Sequence, residues 1–281
     1  MAPDTMDEVQ RQGRRAAREA GPWVERLARL GYASRGLVYV VVGGLAAQAA
    51  VGNRGGPTGS EGAMLAIVHQ PFGRALLAVV ALGLAGYALY RLVQAALDPE
   101  GKGSDAKGGV ARAGYALSGV LHAGLALTAA RMALAGGGSA REDAGRRTAT
   151  LLEQPFGKWL AVAIGAGLVG FGGYQLYRAY ASDPAKRLDL SGIGAEARTW
   201  FCRLGRAGWA ARGVVFGVMG VFLVRAALHS NPGEARGIGG ALESLRDRAY
   251  GPWLLGLVAL GLIGYGVFEV VKARYRRIRP T

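Results

Sequence analysis

Six stretches of the chain are apolar almost without interruption, at roughly 36–51, 73–90, 113–130, 156–174, 207–224 and 251–268. Each runs about 16–22 residues, close to the ~20 that a helix needs to cross a ~30 Å hydrocarbon core. A soluble amphipathic helix would place a polar residue at every second or third position, and these blocks do not. Six of them in a soluble bundle would leave no polar outer layer. The pattern therefore predicts an all-α membrane protein with six transmembrane helices. The first twenty residues are polar and lack an apolar core, so the first span is expected to act as its own uncleaved signal.

The polar punctuation between the blocks repeats. "RLGYASRGLVYVVVGG" from Arg29 returns as "RAGYALSGVLHAGLAL" from Arg112 and "RAGWAARGVVFGVMGV" from Arg206. The second span of each unit matches as well: "QPFGRALLAVVALGLAGYALYRLVQA" from Gln70, "QPFGKWLAVAIGAGLVGFGGYQLYRA" from Gln154 and "RAYGPWLLGLVALGLIGYGVFEVVKA" from Arg248. Gly86, Gly170 and Gly264 are equivalent, as are Gly31, Gly114 and Gly208. Internal similarity at a fixed period describes an architecture. A unit holds two spans, so all three copies insert the same way up, as three parallel-repeat hairpins around a pseudo-threefold axis along the membrane normal. Gly or Ala every three or four residues lets such helices approach closely.

Lys and Arg are unevenly shared between the two sides. The regions before the first span, between the second and third, between the fourth and fifth, and after the sixth hold 23 of the 34. Basic residues accumulate on the cytoplasmic side, so both termini are expected there. The net charge of +15 then finds its partner in anionic lipid headgroups. Nucleic acid is not expected, because no recognition motif and no aromatic–basic interleaving occurs away from the membrane boundary. Trp23, Leu27 and Leu30 share a helical face, as do Trp200, Leu204 and Ala207, which suggests short helices in the headgroup layer before repeats one and three. In the outer loops Met64, Leu65 and Val68, and again Leu242, Leu245 and Ala249, suggest half-buried helical caps.

Superposing the units exposes tiers of polar positions: Arg35, Ser118 and Arg212 near the cytoplasmic start; Gln48, Arg131 and Arg225 thirteen residues on; and Arg91, Gln175 and Glu269 on the returning helices. Gln94, Arg178 and Lys272 lie one turn further. Ionisable residues in a span are candidates for function, although Arg and Lys near helix ends also snorkel to the headgroups. Glu269 is expected to pair with Arg212 first, and with Arg35 or Arg91 next. His122 is the titratable candidate near mid-membrane, where the other repeats have Tyr39 and Phe216. The single cysteine, Cys202, excludes an internal disulfide and a multi-cysteine metal site. His69 and His229 do not complete a metal-ligand spacing with His122. No HExxH, phosphate-binding Gly loop or nucleophile elbow is present, so no catalytic residue, cofactor or metal is expected and the protein is read as no enzyme.

The "RxGYxxRG" starts and "PFG…GYxxYRxxQA" second spans, taken together over residues 22 to 279, resemble the bacterial domain-of-unknown-function 1206 family. The chain departs from that pattern at Ser118, and at Tyr250, Gly251 and Pro252. The resemblance implies a multi-pass protein of the bacterial inner membrane and no established activity. The expected organisation is a flexible basic cytoplasmic tail (1–21), repeat one (22–100), repeat two (106–184), repeat three (196–275) and a basic tail (276–281). The function expected is a structural or interaction module contacting anionic lipids or a membrane partner. The alternative is a small permeation or transport unit for a small, anionic solute along the pseudo-threefold axis.

Overall fold

The computed structural model of the chain describes residues 3–52, 59–97, 105–135, 149–150, 152–154, 156–186, 188–190, 192, 194–247 and 250–275. Among the described residues the α-helices are α1 (Pro3–Ala50), α2 (Ser60–Val68), α3 (Gly73–Leu97), α4 (Ala106–Ala135), α5 (Gly157–Ala181), α6 (Ala195–Leu228), α7 (Ile238–Arg246) and α8 (Gly251–Tyr275). α1, α3, α4, α5, α6 and α8 are long and apolar enough to cross a membrane, which makes this a multi-pass membrane protein. α2 and α7 are the short caps between the two spans of repeats one and three. Their buried residues are Ala63, Met64 and Ile67 in one and Ala241, Leu242 and Leu245 in the other. The face of α2 is thus turned from the expected one, with Ile67 inward in place of Leu65 and Val68.

Two sequence expectations change. α1 and α6 run unbroken through these segments into the apolar spans, so the expected separate helices are the leading turns of the spanning helices themselves. The segment expected to be a flexible basic tail is helical from Pro3. Its Arg11, Arg14, Arg15 and Arg18 are matched in number by Asp4, Asp7, Glu8 and Glu19, so it is not basic. The C-terminal tail, 276–281, lies outside the described residues.

Each returning span starts at the same device. Phe72, Phe156 and Tyr250 have φ of 59°, 61° and 60°, a left-handed conformation that costs a bulky side chain about 1–3 kcal/mol. The glycine that follows is obligatory in repeats one and three, because a Cβ on Gly73 or Gly251 would collide with the carbonyl of Ile67 or Arg246. All three aromatic rings are left exposed, at the level where a membrane–water interface favours them.

The helices pack by one rule applied three times. The second span of each repeat lies against the first span of the next: α3 on α4, α5 on α6, and α8 back on α1. A Cβ on Gly36 would sit 2.6 Å from the Gly266 carbonyl, one on Gly119 3.2 Å from the Ala88 carbonyl, and one on Gly213 2.9 Å from the Gly172 carbonyl. These three seams are equivalent residue by residue. Each is also closed by rings: Tyr39 on Tyr265 (4.8 Å), His122 on Tyr87 (4.7 Å) and Phe216 on Phe171 (5.2 Å). Toward the start of each first span a cation from the returning helix lies over the leading aromatic of the next repeat. Lys272 covers Tyr32 at 4.5 Å, Arg91 covers Tyr115 at 5.1 Å and Arg178 covers Trp209 at 4.0 Å.

Packing inside the repeats is not equivalent. α1 packs on α3 and α6 on α8, but no substantial contact joins α4 to α5. The ring of six spans is closed at every seam and open in its second hairpin. Gly114, Gly167 and Gly170 meet nothing within 4 Å. Their counterparts in the other repeats, Gly31, Gly83, Gly208, Gly261 and Gly264, are all packed against the opposite helix of their own hairpin.

Candidate functional site

Polar side chains gather on the inner side of the closed hairpins. Arg35 is seven residues into the α1 span, which begins at Ala28, so its Cα lies roughly 10 Å along the helix from that end. Its Nη1 donates to the Tyr87 hydroxyl at 2.5 Å and its Nη2 to the Tyr265 hydroxyl at 3.1 Å. Arg91 Nε donates to the same Tyr87 oxygen at 2.7 Å, and Arg212 Nη1 to the same Tyr265 oxygen at 2.8 Å. Three guanidinium groups are thus strung on two phenolic oxygens. Neutral hydroxyls accept these bonds without cancelling the charge. The arginines also lie over aromatic faces: Arg35 over Tyr87, and Arg212 over Tyr265, Phe216, Tyr39 and Phe171. Such stacking suits a desolvated guanidinium.

Glu269 is fully buried and receives Lys272 Nζ at 2.7 Å and Arg35 Nη1 at 3.4 Å. Its Arg partner is therefore Arg35, across the α8–α1 seam, whereas Arg212 in its own hairpin goes to Tyr265. Residue 269 continues the face of α8 that carries Ala259, Gly266 and Val270 against α1. Tyr265 lies on the face toward Gly208 of α6. The azimuth around α8, more than depth, selects the partners.

The remaining sequence candidates separate. Gln175 is buried, with Oε1 3.5 Å from Arg178 Nη1 and its Nε2 without a partner. Gln94 is buried and bonded to Arg91 and Tyr90. Gln48, Arg131 and Arg225 are exposed and take no part in the cluster. Arg225 lies 3.5 Å from Glu234, in the connection between α6 and α7. The hydrogen bond from His229, aided by Arg225, holds the Glu234 carboxyl below its usual range. His122 keeps its ring on Tyr87 and bonds through Nδ1 to the Ser118 carbonyl at 2.7 Å, in the slot that Tyr39 and Phe216 fill elsewhere. Ser118 has no long side chain to reach across its hairpin. The Cys202 thiol lies 3.6 Å from Asp183 Oδ1.

Tyr87 and Tyr265 were absent from the sequence candidates, although a signal existed. In repeats one and three an Arg (35 or 212) faces a Tyr (87 or 265) across the hairpin. The equivalent pair in repeat two is Ser118 and Phe171. The open hairpin is the one from which both halves of the Arg–Tyr clasp are missing.

A family model described as "Domain of Unknown Function (DUF1206)" matches residues 30–98, 113–182 and 207–276, once per repeat. The chain is also 33% identical over 260 residues to "Uncharacterized protein YxxB" of Bacillus subtilis (strain 168), covering 92% of this chain and 94% of that one. No solved structure matches.

Proposed function

Because the chain belongs to the DUF1206 family, whose description carries no activity, we propose a function from geometry: a membrane interaction module that binds anionic phospholipid at its open second hairpin. The observation that supports this most is the unpaired inner faces of α4 and α5. Gly114, Leu117 and Leu121 on one, and Ile164, Gly167 and Phe171 on the other, are exposed. Between two such helices an acyl chain replaces the missing helix contact. Cations stand at the cytoplasmic ends of both lips. Arg112 caps the α3 carbonyls of Ala95 and Ala96 at 2.8 and 3.1 Å, and Arg178 lies over Trp209 beside α5. Each basic residue near an anionic surface contributes on the order of 1 kcal/mol. On this reading the protein sits in the bacterial inner membrane with both termini cytoplasmic and works without catalysis.

A permeation unit for a small anion is the second reading, favoured by the position of Arg212 near the ring interior. The space beside Arg212 has a volume of about 10 Å³, which weighs against an open aqueous path. Lipid-exchange into nanodiscs of phosphatidylglycerol or phosphatidylcholine tests the first reading. Phosphatidylglycerol is expected to raise the melting temperature and to be enriched among co-purified lipids, with Arg112→Gln and Arg178→Gln reducing both effects. Equal melting in the two lipids without enrichment refutes it.

A further inference from the structure

The leading arginines of the three repeats are equivalent in sequence, but only two of them are held by the preceding returning helix. Arg29 Nη1 donates to the carbonyls of Ala273 and Arg274 on α8, at 2.7 and 2.6 Å. Arg112 donates to Ala95 and Ala96 on α3, at 2.8 and 3.1 Å. The residues in those places on α5 are Ala179 and Tyr180. Arg206, the third of the set, takes neither carbonyl and lines a cavity instead.

That cavity lies between the leading turns of α6 and the turn at 182–186 that follows α5. The turn is seated on α6: a Cβ on Gly205 would sit 2.9 Å from Pro184 Cβ, and the Cys202 thiol lies 3.6 Å from Asp183 Oδ1. The space measures about 320 Å³ and is lined by Asp183, Arg198, Thr199, Cys202, Arg203 and Arg206. A volume of this order admits a small ligand. Residues 198, 202 and 206 recur at every fourth position, with 199 and 203 beside them, so three guanidinium groups share one helix face. Like charges so placed repel one another. Neither Arg198 nor Arg206 has a hydrogen bond, ion pair or ring contact among the described residues. Arg203 lies over Trp200 at 5.1 Å, which leaves its charge in place. The one carboxylate, Asp183, accepts through Oδ1 from Ala185 N at 2.9 Å as well as facing the thiol. Three positive charges less one negative leave a surplus of two in the lining.

We infer that this cavity binds a phosphomonoester group, held by Arg198, Arg203 and Arg206. Such a group carries a charge of about −1.5 to −2 at pH 7, which matches the surplus. Its three terminal oxygens suit guanidinium forks, each offering two parallel donors. The Thr199 hydroxyl is spent on the Ala195 carbonyl at 3.0 Å, so recognition rests with the arginines. A phosphodiester has one charge and one terminal oxygen fewer, and fits less well. The rest of the ester is a diacylglycerol or a soluble alcohol, since both present the same phosphate. The site shares neither Arg112 nor Arg178 with the open hairpin and stands apart from lipid binding there.

Cys202, the single cysteine of the chain, lines the cavity and reports its occupancy. The test follows the rate at which a maleimide labels it in the full-length protein. Glycerol 3-phosphate in detergent, or phosphatidic acid in nanodiscs, is expected to slow labelling saturably by at least fivefold against chloride at equal ionic strength. Slowing by phosphatidic acid alone assigns the lipid as source, slowing by glycerol 3-phosphate alone a soluble ester, and slowing by both a site open to either. Phosphatidylglycerol should protect at least fivefold less well than phosphatidic acid. Arg198→Gln and Arg206→Gln should remove the protection and leave the melting temperature unchanged, because neither side chain holds a described contact. Arg131→Gln, which deletes an exposed charge elsewhere, should keep it. Labelling unaffected by both monoesters overturns the inference. Equal protection by phosphatidylglycerol, or full protection retained in Arg206→Gln, does so too. Loss of the phosphatidylglycerol preference in melting, with Cys202 protection intact, would refute only lipid binding at the open hairpin.

Discussion

Replacing Gly31, Gly114 and Gly208 by alanine, one at a time, puts the same methyl at three equivalent positions. On Gly31 it would fall 2.7 Å from the Gly83 carbonyl and 2.9 Å from Tyr87 Cα, and on Gly208 2.7 Å from Tyr265 Cα and 2.9 Å from its Cδ2. Backbone atoms cannot rotate aside, so the facing helix must retreat by roughly 0.5–1 Å. A gap of that size forfeits about a quarter to a half of each dispersion contact along the pair, and overpacking of this kind costs about 1–3 kcal/mol. Alanine returns up to about 1 kcal/mol through helix propensity. The net loss is about 1–2 kcal/mol, or roughly 2–8 °C in a domain of this size. On Gly114 the methyl meets nothing within 4 Å, which leaves only the propensity gain. Thermal unfolding in one detergent therefore should show Gly31→Ala and Gly208→Ala melting several degrees low, with Gly114→Ala at or slightly above the unaltered protein. If Gly114→Ala falls as far as the other two, α4 packs on α5 as in its sister hairpins and the open ring is wrong.

Glu269→Gln and Arg35→Gln should each cost about 3–5 kcal/mol, since either leaves a buried charge short of its partner. A double-mutant cycle should show strong coupling between them and weaker coupling of Glu269 with Arg212, and full additivity in the first pair would sink the assignment. Nanodisc melting should favour phosphatidylglycerol, and the preference should fall in Arg112→Gln and Arg178→Gln. Reporter fusions active only outside the cell should be silent at residue 281 and active near Gly137, and the reverse result would invert every statement about sides.

Much of this architecture is legible without coordinates. Apolar runs of spanning length, set at a fixed period, dictate six membrane helices in three units, because lipid leaves the backbone no alternative but to bond within the helix. The repeated glycines Gly31, Gly114 and Gly208, with Gly86, Gly170 and Gly264, are equally visible, since their place in each unit is a property of the sequence alone. Which helix faces which is not legible. Three near-identical units present near-identical faces, so hairpin contacts and seam contacts compete for the same glycines. Glu269 shows the consequence: depth favours Arg212 in its own hairpin, yet one side of α8 turns it onto Arg35 while Tyr265, on the other, takes Arg212. The cavity beside Arg212 draws residues from five helices, α1, α2, α6, α7 and α8, none of which marks it alone. Nor does any local feature say that the hairpin is open between α4 and α5. Only assembly reveals that Ser118 and Phe171 lack the arginine and hydroxyl that clasp the other two, because a missing contact is a property of two helices at once.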